Sequence, residues 1–101
     1  MDISEAQRLA WENKLDKEFN VSNVELEFGL LWAEIGEAFT AWRKKDPGFG
    51  EELADAFLFL AGLAQMNGID LNGEVARKIE KNRSRVYERD ENGVLVRTVG
   101  D

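Results

Sequence analysis

The chain has 101 residues, 44% hydrophobic and 33% charged, the size and composition of one globular domain with a modest core. Its 20 acidic residues outnumber 13 basic ones, and the formal net charge of −7 argues against a general nucleic-acid binder. Cysteine and histidine are both absent, which excludes disulfide frameworks, thiol nucleophiles, imidazole bases and the usual zinc ligands.

In chain order, Ser4 with Gln7 three residues on resembles a capping box and predicts a helix over 5–18. Ser22 with Glu25 repeats the signal. Val24, Phe28, Leu31, Ile35, Ala38 and Trp42 then follow helical spacing to about Lys45 and predict the buried stripe of a second helix. DPGFG at 46–50 is a turn. A third helix is expected over 51–66, stopping at Asn67-Gly68. Asp70 can cap a fourth, with Leu71, Val75, Ile79 and Val86 on its buried side. In the tail, Asn92-Gly93 between short β-prone segments predicts a hairpin. A lone hairpin is marginal in water, so it is expected to dock on helices or on a neighbouring subunit. The reading is one domain over 1–101, helical over 1–88 with a hairpin tail over 89–101. No apolar run reaches the roughly 18 residues that span a bilayer, and MDISEAQRL has neither the basic flank nor the apolar core of a signal peptide. The expected setting is the cytoplasm, with no membrane partner.

The third helix poses a problem. LADAFLFLAGLAQM, residues 53–66, holds a single charge, Asp55, although an ionised carboxylate entering a core unpaired costs several kcal/mol. A helix apolar on all sides is normally buried on all sides, which in so small a chain implies a partner subunit. Glu34 and Glu37, and Glu52 and Asp55, are pairs three residues apart and so share helical faces. Antiparallel packing of the second and third helices could bring both pairs together. Acids in a first turn also meet the helix dipole, which accounts for Glu51 and Glu52 without a metal; Asp55 lies too far in for that. Clustered carboxylates repel unless divalent cations sit among them. Oxygen donors favour hard ions, Mg²⁺ or Mn²⁺.

Arg77–Arg89, RKIEKNRSRVYER, holds six of the cationic residues against two acids. Lys78, Asn82 and Arg85 form one stripe on the fourth helix. By itself this reads as a solvated basic face. Beside a metal site it suits the oxygens of a polyphosphate.

Glu34-x-x-Glu37, fourteen intervening residues and Glu52-x-x-Asp55, followed by Lys78-x-x-x-Asn82-x-x-Arg85, resemble the two ordered elements of the all-α MazG-like nucleoside triphosphate pyrophosphohydrolases over about residues 22–88. Ala33 stands where many such sequences carry an extra Glu. The resemblance implies an all-α, four-helix MazG-like bundle completed by oligomerisation, as a dimer or tetramer, here with a short C-terminal β-hairpin. It also implies a Mg²⁺-dependent enzyme, with Mn²⁺ a possible substitute, that converts a (d)NTP and water to (d)NMP and pyrophosphate in nucleotide-pool control or house-cleaning. Glu34, Glu37, Glu52 and Asp55 would hold the metal and carry the catalysis; Lys78 and Arg85 would hold phosphate oxygens, and Asn82 sugar or phosphate. A base could stack on an aromatic, for which Trp11, Trp32 and Trp42 are candidates and Trp11 is preferred, although tryptophans at helical spacing are more often core. Two rivals remain: a phosphoribosyl-ATP pyrophosphohydrolase of the same fold, and a non-catalytic helical binding or regulatory module. A ferritin-like di-iron bundle is disfavoured, since its Glu-x-x-His ligands need histidine.

Overall fold

Local side-chain chemistry sets the helix starts in the computed structural model, which describes residues 1–99. Asp2, rather than Ser4, caps α1 (Ile3–Asp16), its Oδ1 accepting from the Glu5 amide at 2.8 Å. Asn23, rather than Ser22, caps α2 (Val24–Arg43), accepting from the Leu26 amide at 3.0 Å. In each case an Asx side chain nearby supplies the acceptor that the serine was expected to give. The ends are equally local: Glu18 (φ 59°) and Lys45 (φ 54°) adopt left-handed backbone just beyond the two helices. The Asp46 carboxylate accepts from the Gly48 amide at 2.7 Å and turns the chain into α3 (Phe49–Met66). That helix stops at Asn67-Gly68 as expected. Gly68 (φ 66°) lets the Ile69 amide return to the Ala64 carbonyl at 2.8 Å.

Asp70 precedes α4 (Leu71–Arg83), after which β1 (Val86–Arg89) and β2 (Leu95–Val99) pair antiparallel. Asp90 organises the turn between them, its Oδ1 accepting from the Asn92 and Val94 amides at 2.9 Å each, with Gly93 at φ 79°. Strand pairing thus begins at Val86 rather than 89, and the last two residues of the expected tail, Gly100 and Asp101, lie outside the described residues.

The chain divides into two compact units, one of Met1–Leu71 and one from Asn72 onward. In the first, α2 and α3 are joined by residues 44–48 and form a helical hairpin, with α1 laid on α3. Its buried apolar residues are Ala38, Ala41, Ala61, Leu63 and Ala64, and the small side chains of the four alanines let the helix axes come close. This corrects the expected buried stripe of α2. Glu27, Ala38 and Ala41 are buried, whereas Phe28, Ile35 and Trp42 are 44%, 50% and 60% exposed. The intrachain face of α2 runs through Glu27, Leu31, Glu34, Ala38 and Ala41, and its aromatic stripe points away from α3. Part of α3 is open as well, at Leu53, Leu58 and Leu60.

Glu27 is fully buried because Lys14 of α1 meets it at 2.6 Å. The Lys14 ammonium also donates to the Asn20 carbonyl at 2.8 Å, while the Asn20 amide donates to Glu27 Oε2 at 3.0 Å. Gly62 of α3 makes the space, since a Cβ there would lie 2.9 Å from Lys14 Cε. A second tie comes from buried Gln7, whose amide donates at 2.9 Å to both Gln65 Oε1 and the Ile69 carbonyl.

In the second unit α4 has no buried residue, and Ile79 and Val86 are 50% and 44% exposed. Leu71 and Val75 are half-buried, so the apolar side expected for that helix is covered only in part among the described residues.

Candidate metal and nucleotide site

Three of the four predicted carboxylates converge in the first unit. Glu34 and Glu37 come one turn apart from α2, Glu52 from the first turn of α3, and one oxygen of each lies within 4.8 Å of the others. Glu34 and Glu52 are half-buried and Glu37 is exposed. The Oε2 atoms of Glu34 and Glu52 are shielded from solvent without a hydrogen-bond partner among the described residues. A buried carboxylate oxygen without a donor carries a desolvation cost that a cation would remove.

Their protonation follows the crowding. Burial is the first cause that raises the Glu34 carboxyl above its ordinary pKa of 4.5, followed by hydrogen bonding and charge from Glu37, then the charges of Asp55 and Glu52. Glu52 is raised by burial first, then by Glu37, Asp55, Glu51 and Asp46. Asp55 is thus within Coulombic range of both, but it lies outside the convergent trio.

Two cavities adjoin these residues. One of about 540 Å³ is lined by Glu37 and Glu52 together with Thr40, Lys44 and Asp46. The other, about 220 Å³, takes in Asp55 with Asn13, Lys14, Phe19 and Phe59. Trp11 is half-buried on α1 and is not among the residues lining either cavity. Lys44, Asn13, Phe19 and Phe59 were not singled out from the sequence. Only Phe59, one turn beyond Asp55 on α3, carried a usable spacing signal.

Lys78, Asn82 and Arg85 belong to the second unit. Lys78 and Asn82 are on α4; Arg85 follows the helix, half-buried, with its Nε shielded and unpartnered among the described residues.

The donor set fits a hard divalent cation. Ligand oxygens around an octahedral Mg²⁺ at about 2.1 Å are at most about 4.2 Å apart, so a trio already within 4.8 Å needs only small side-chain rotations to close on one ion.

No protein-family model matches the chain, and no curated protein matches it in sequence. Among solved structures it resembles a MazG-like pyrophosphohydrolase of cyanophage S-2L, bound to dGDP and three catalytic Mn²⁺ ions per active site. The identity is 25% and the TM-score 0.68, over 97% of this chain and 93% of that one. With nearly its whole length matched, the chain has the all-α fold of that MazG-like protein.

Proposed function

We propose that the protein is a divalent-metal-dependent nucleoside triphosphate pyrophosphohydrolase, hydrolysing a (d)NTP to (d)NMP and pyrophosphate. The observation that carries this reading is the convergence of Glu34, Glu37 and Glu52 with two solvent-shielded, partnerless carboxylate oxygens. It is supported by the likeness to a pyrophosphohydrolase that binds a nucleotide and Mn²⁺.

Mg²⁺ or Mn²⁺, when bound, supplies Lewis acidity toward phosphate oxygens and lowers the pKa of water. Glu34, Glu37 and Glu52 hold the cation, and Asp55 adds its charge from one helical turn beyond Glu52. One of these carboxylates orients the attacking water and takes its proton. Water adds to the phosphorus, the phosphoanhydride bond breaks, and pyrophosphate leaves with the electron pair. Lys78, Asn82 and Arg85 supply donors for phosphate and sugar oxygens, the role of the family element that they resemble. The aromatic rings of Phe19 and Phe59, with the Asn13 amide, give the 220 Å³ cavity the chemistry of a base site, a role that Trp11 was expected to fill.

The same reading includes self-association. The aromatic stripe of α2 is open to solvent in the single chain, with Trp32 69% exposed, and a second copy would cover it.

The test is pyrophosphate release from a panel of NTPs and dNTPs with Mg²⁺, with Mn²⁺ and with chelator. Turnover is expected only with metal, and Glu37→Gln and Asp55→Asn should each lose at least roughly a hundredfold in kcat while circular dichroism stays helical. Metal-independent turnover, or full activity in both variants, overturns the proposal.

A further inference from the structure

Five of the seven cations of the second unit fall into two groups, while Arg89 donates to the Gly93 carbonyl at 2.7 Å. Arg77 is held by Glu74 and Arg83 by Glu80, each pair at 2.6 Å and each on the helix's own surface. Lys78, Arg85 and Arg97 have no carboxylate within ion-pair distance among the described residues. The first two lie at the C-terminal half of α4 and just past it; Arg97 is far away in sequence, on β2. The hairpin register returns it. Arg97 stands opposite Tyr87 in the ladder, so the two side chains share one face, two residues beyond Arg85.

The field at Lys78 reports this grouping. Burial is the first cause that lowers its ammonium pKa, and the positive charges of Arg85, Lys81 and Arg97 lower it further, with Tyr87 alone opposing them. Lys78, Arg85 and Arg97, gathered without a carboxylate at ion-pair distance among the described residues, repel one another. Arg85 adds a guanidinium Nε that is shielded from water and bonded to nothing among the described residues. A shielded donor beside uncompensated charge is the chemistry of an anion site, and paired guanidinium forks match phosphate oxygens better than a lone ammonium does.

We propose that Arg97, brought in by the terminal hairpin, joins Lys78 and Arg85 in one phosphate-binding cluster, and that its ligand is the phosphate chain of the nucleotide. This rests on the hydrolase reading for the identity of the ligand, not for the existence of the cluster. It also gives the hairpin a task that a marginal two-stranded ribbon otherwise lacks.

Isothermal titration of the full chain with inorganic tripolyphosphate, in chelator so that no divalent cation contributes, isolates the cluster. The wild type should bind, Arg97→Gln should weaken binding roughly tenfold, and Arg97→Lys should recover part of it. Arg83→Gln, which removes a guanidinium already paired with Glu80, should bind like the wild type. In the pyrophosphate assay Arg97→Gln should raise KM by a similar factor with a smaller change in kcat. A wild type that ignores tripolyphosphate, or an Arg97→Gln variant that binds it as tightly as the wild type, overturns the inference. If tripolyphosphate binding needs Arg97 but no NTP is hydrolysed, the anion cluster stands and the hydrolase reading falls. If NTPs are hydrolysed and Arg97→Gln leaves both binding and KM unchanged, the reverse holds.

Discussion

Glu34 and Glu52 are the two carboxylates whose protonation is clearly displaced from the ordinary. Both are raised above the usual carboxyl value of 4.5, burial first and neighbouring acids next. Between that value and the raised ones, the folded protein binds more protons than the unfolded chain does. Stability of the metal-free protein must therefore fall as pH rises through that window, and the penalty is complete above it. Thermal melts without metal should show a Tm lower at about pH 7 than at about pH 5, with a smaller drop in Glu34→Gln. Adding Mn²⁺ should reverse the trend, raising the wild-type Tm more at the higher pH, where protons do not compete for the carboxylates. Equal pH slopes in the wild type and Glu34→Gln would show that this crowding is not felt in solution. The acid pattern was legible in the sequence because ligand spacing on a helix is a local property. The separate cavity that takes in Asp55, Phe19 and Phe59 was not, since Phe19 reaches it only through the packing of the chain before α2.

Among the elements, α2 shows best what sequence can and cannot say. Its existence followed from a 3.6-residue period, but the period does not tell which face the chain itself buries. Phe28, Trp32, Ile35, Phe39 and Trp42 make an apolar stripe, with the rings of Phe28 and Trp32 6.2 Å apart and those of Phe39 and Trp42 6.0 Å apart. The face turned to α3 is instead the one with alanines and Glu34. An open aromatic stripe and an inward acidic face are consistent if a second copy supplies the missing cover. Trp32→Glu should then convert a dimer or larger assembly to monomer in size-exclusion chromatography with light scattering, because a carboxylate buried in an apolar seam costs several kcal/mol. A wild-type monomer, or an unchanged mass in the variant, would refute that seam. The terminal hairpin was legible for the same local reason as the helices, Asn92-Gly93 being a turn signal; the recruitment of Arg97 toward Lys78 depends on strand register and was not.

At the scale of the whole molecule, the stability of a domain this size is about 5–15 kcal/mol in total. Against that figure, one internal ion pair is large. Lys14 and Glu27 are 10% and 0% exposed, and removing either partner leaves a charge in the interior. Lys14→Met should destabilise the fold by about 3–5 kcal/mol in urea unfolding, whereas Lys14→Met with Glu27→Leu should recover most of the loss. A single variant as stable as the wild type would show that the pair is hydrated in solution. The pair was illegible in the sequence, where both residues read as ordinary surface charges on amphipathic helices. Its consequence is historical. A lineage carrying this pair cannot easily shed it one residue at a time, because the intermediate forfeits roughly a fifth or more of its folding free energy. Gly62 is drawn into the same constraint, for a Cβ there would lie 2.9 Å from Lys14 Cε and the lysine end would have to shift while keeping its contact with Glu27. Positions 14, 27 and 62 should therefore drift as a block: frozen together in one descendant, exchanged together in another, and seldom found half-changed.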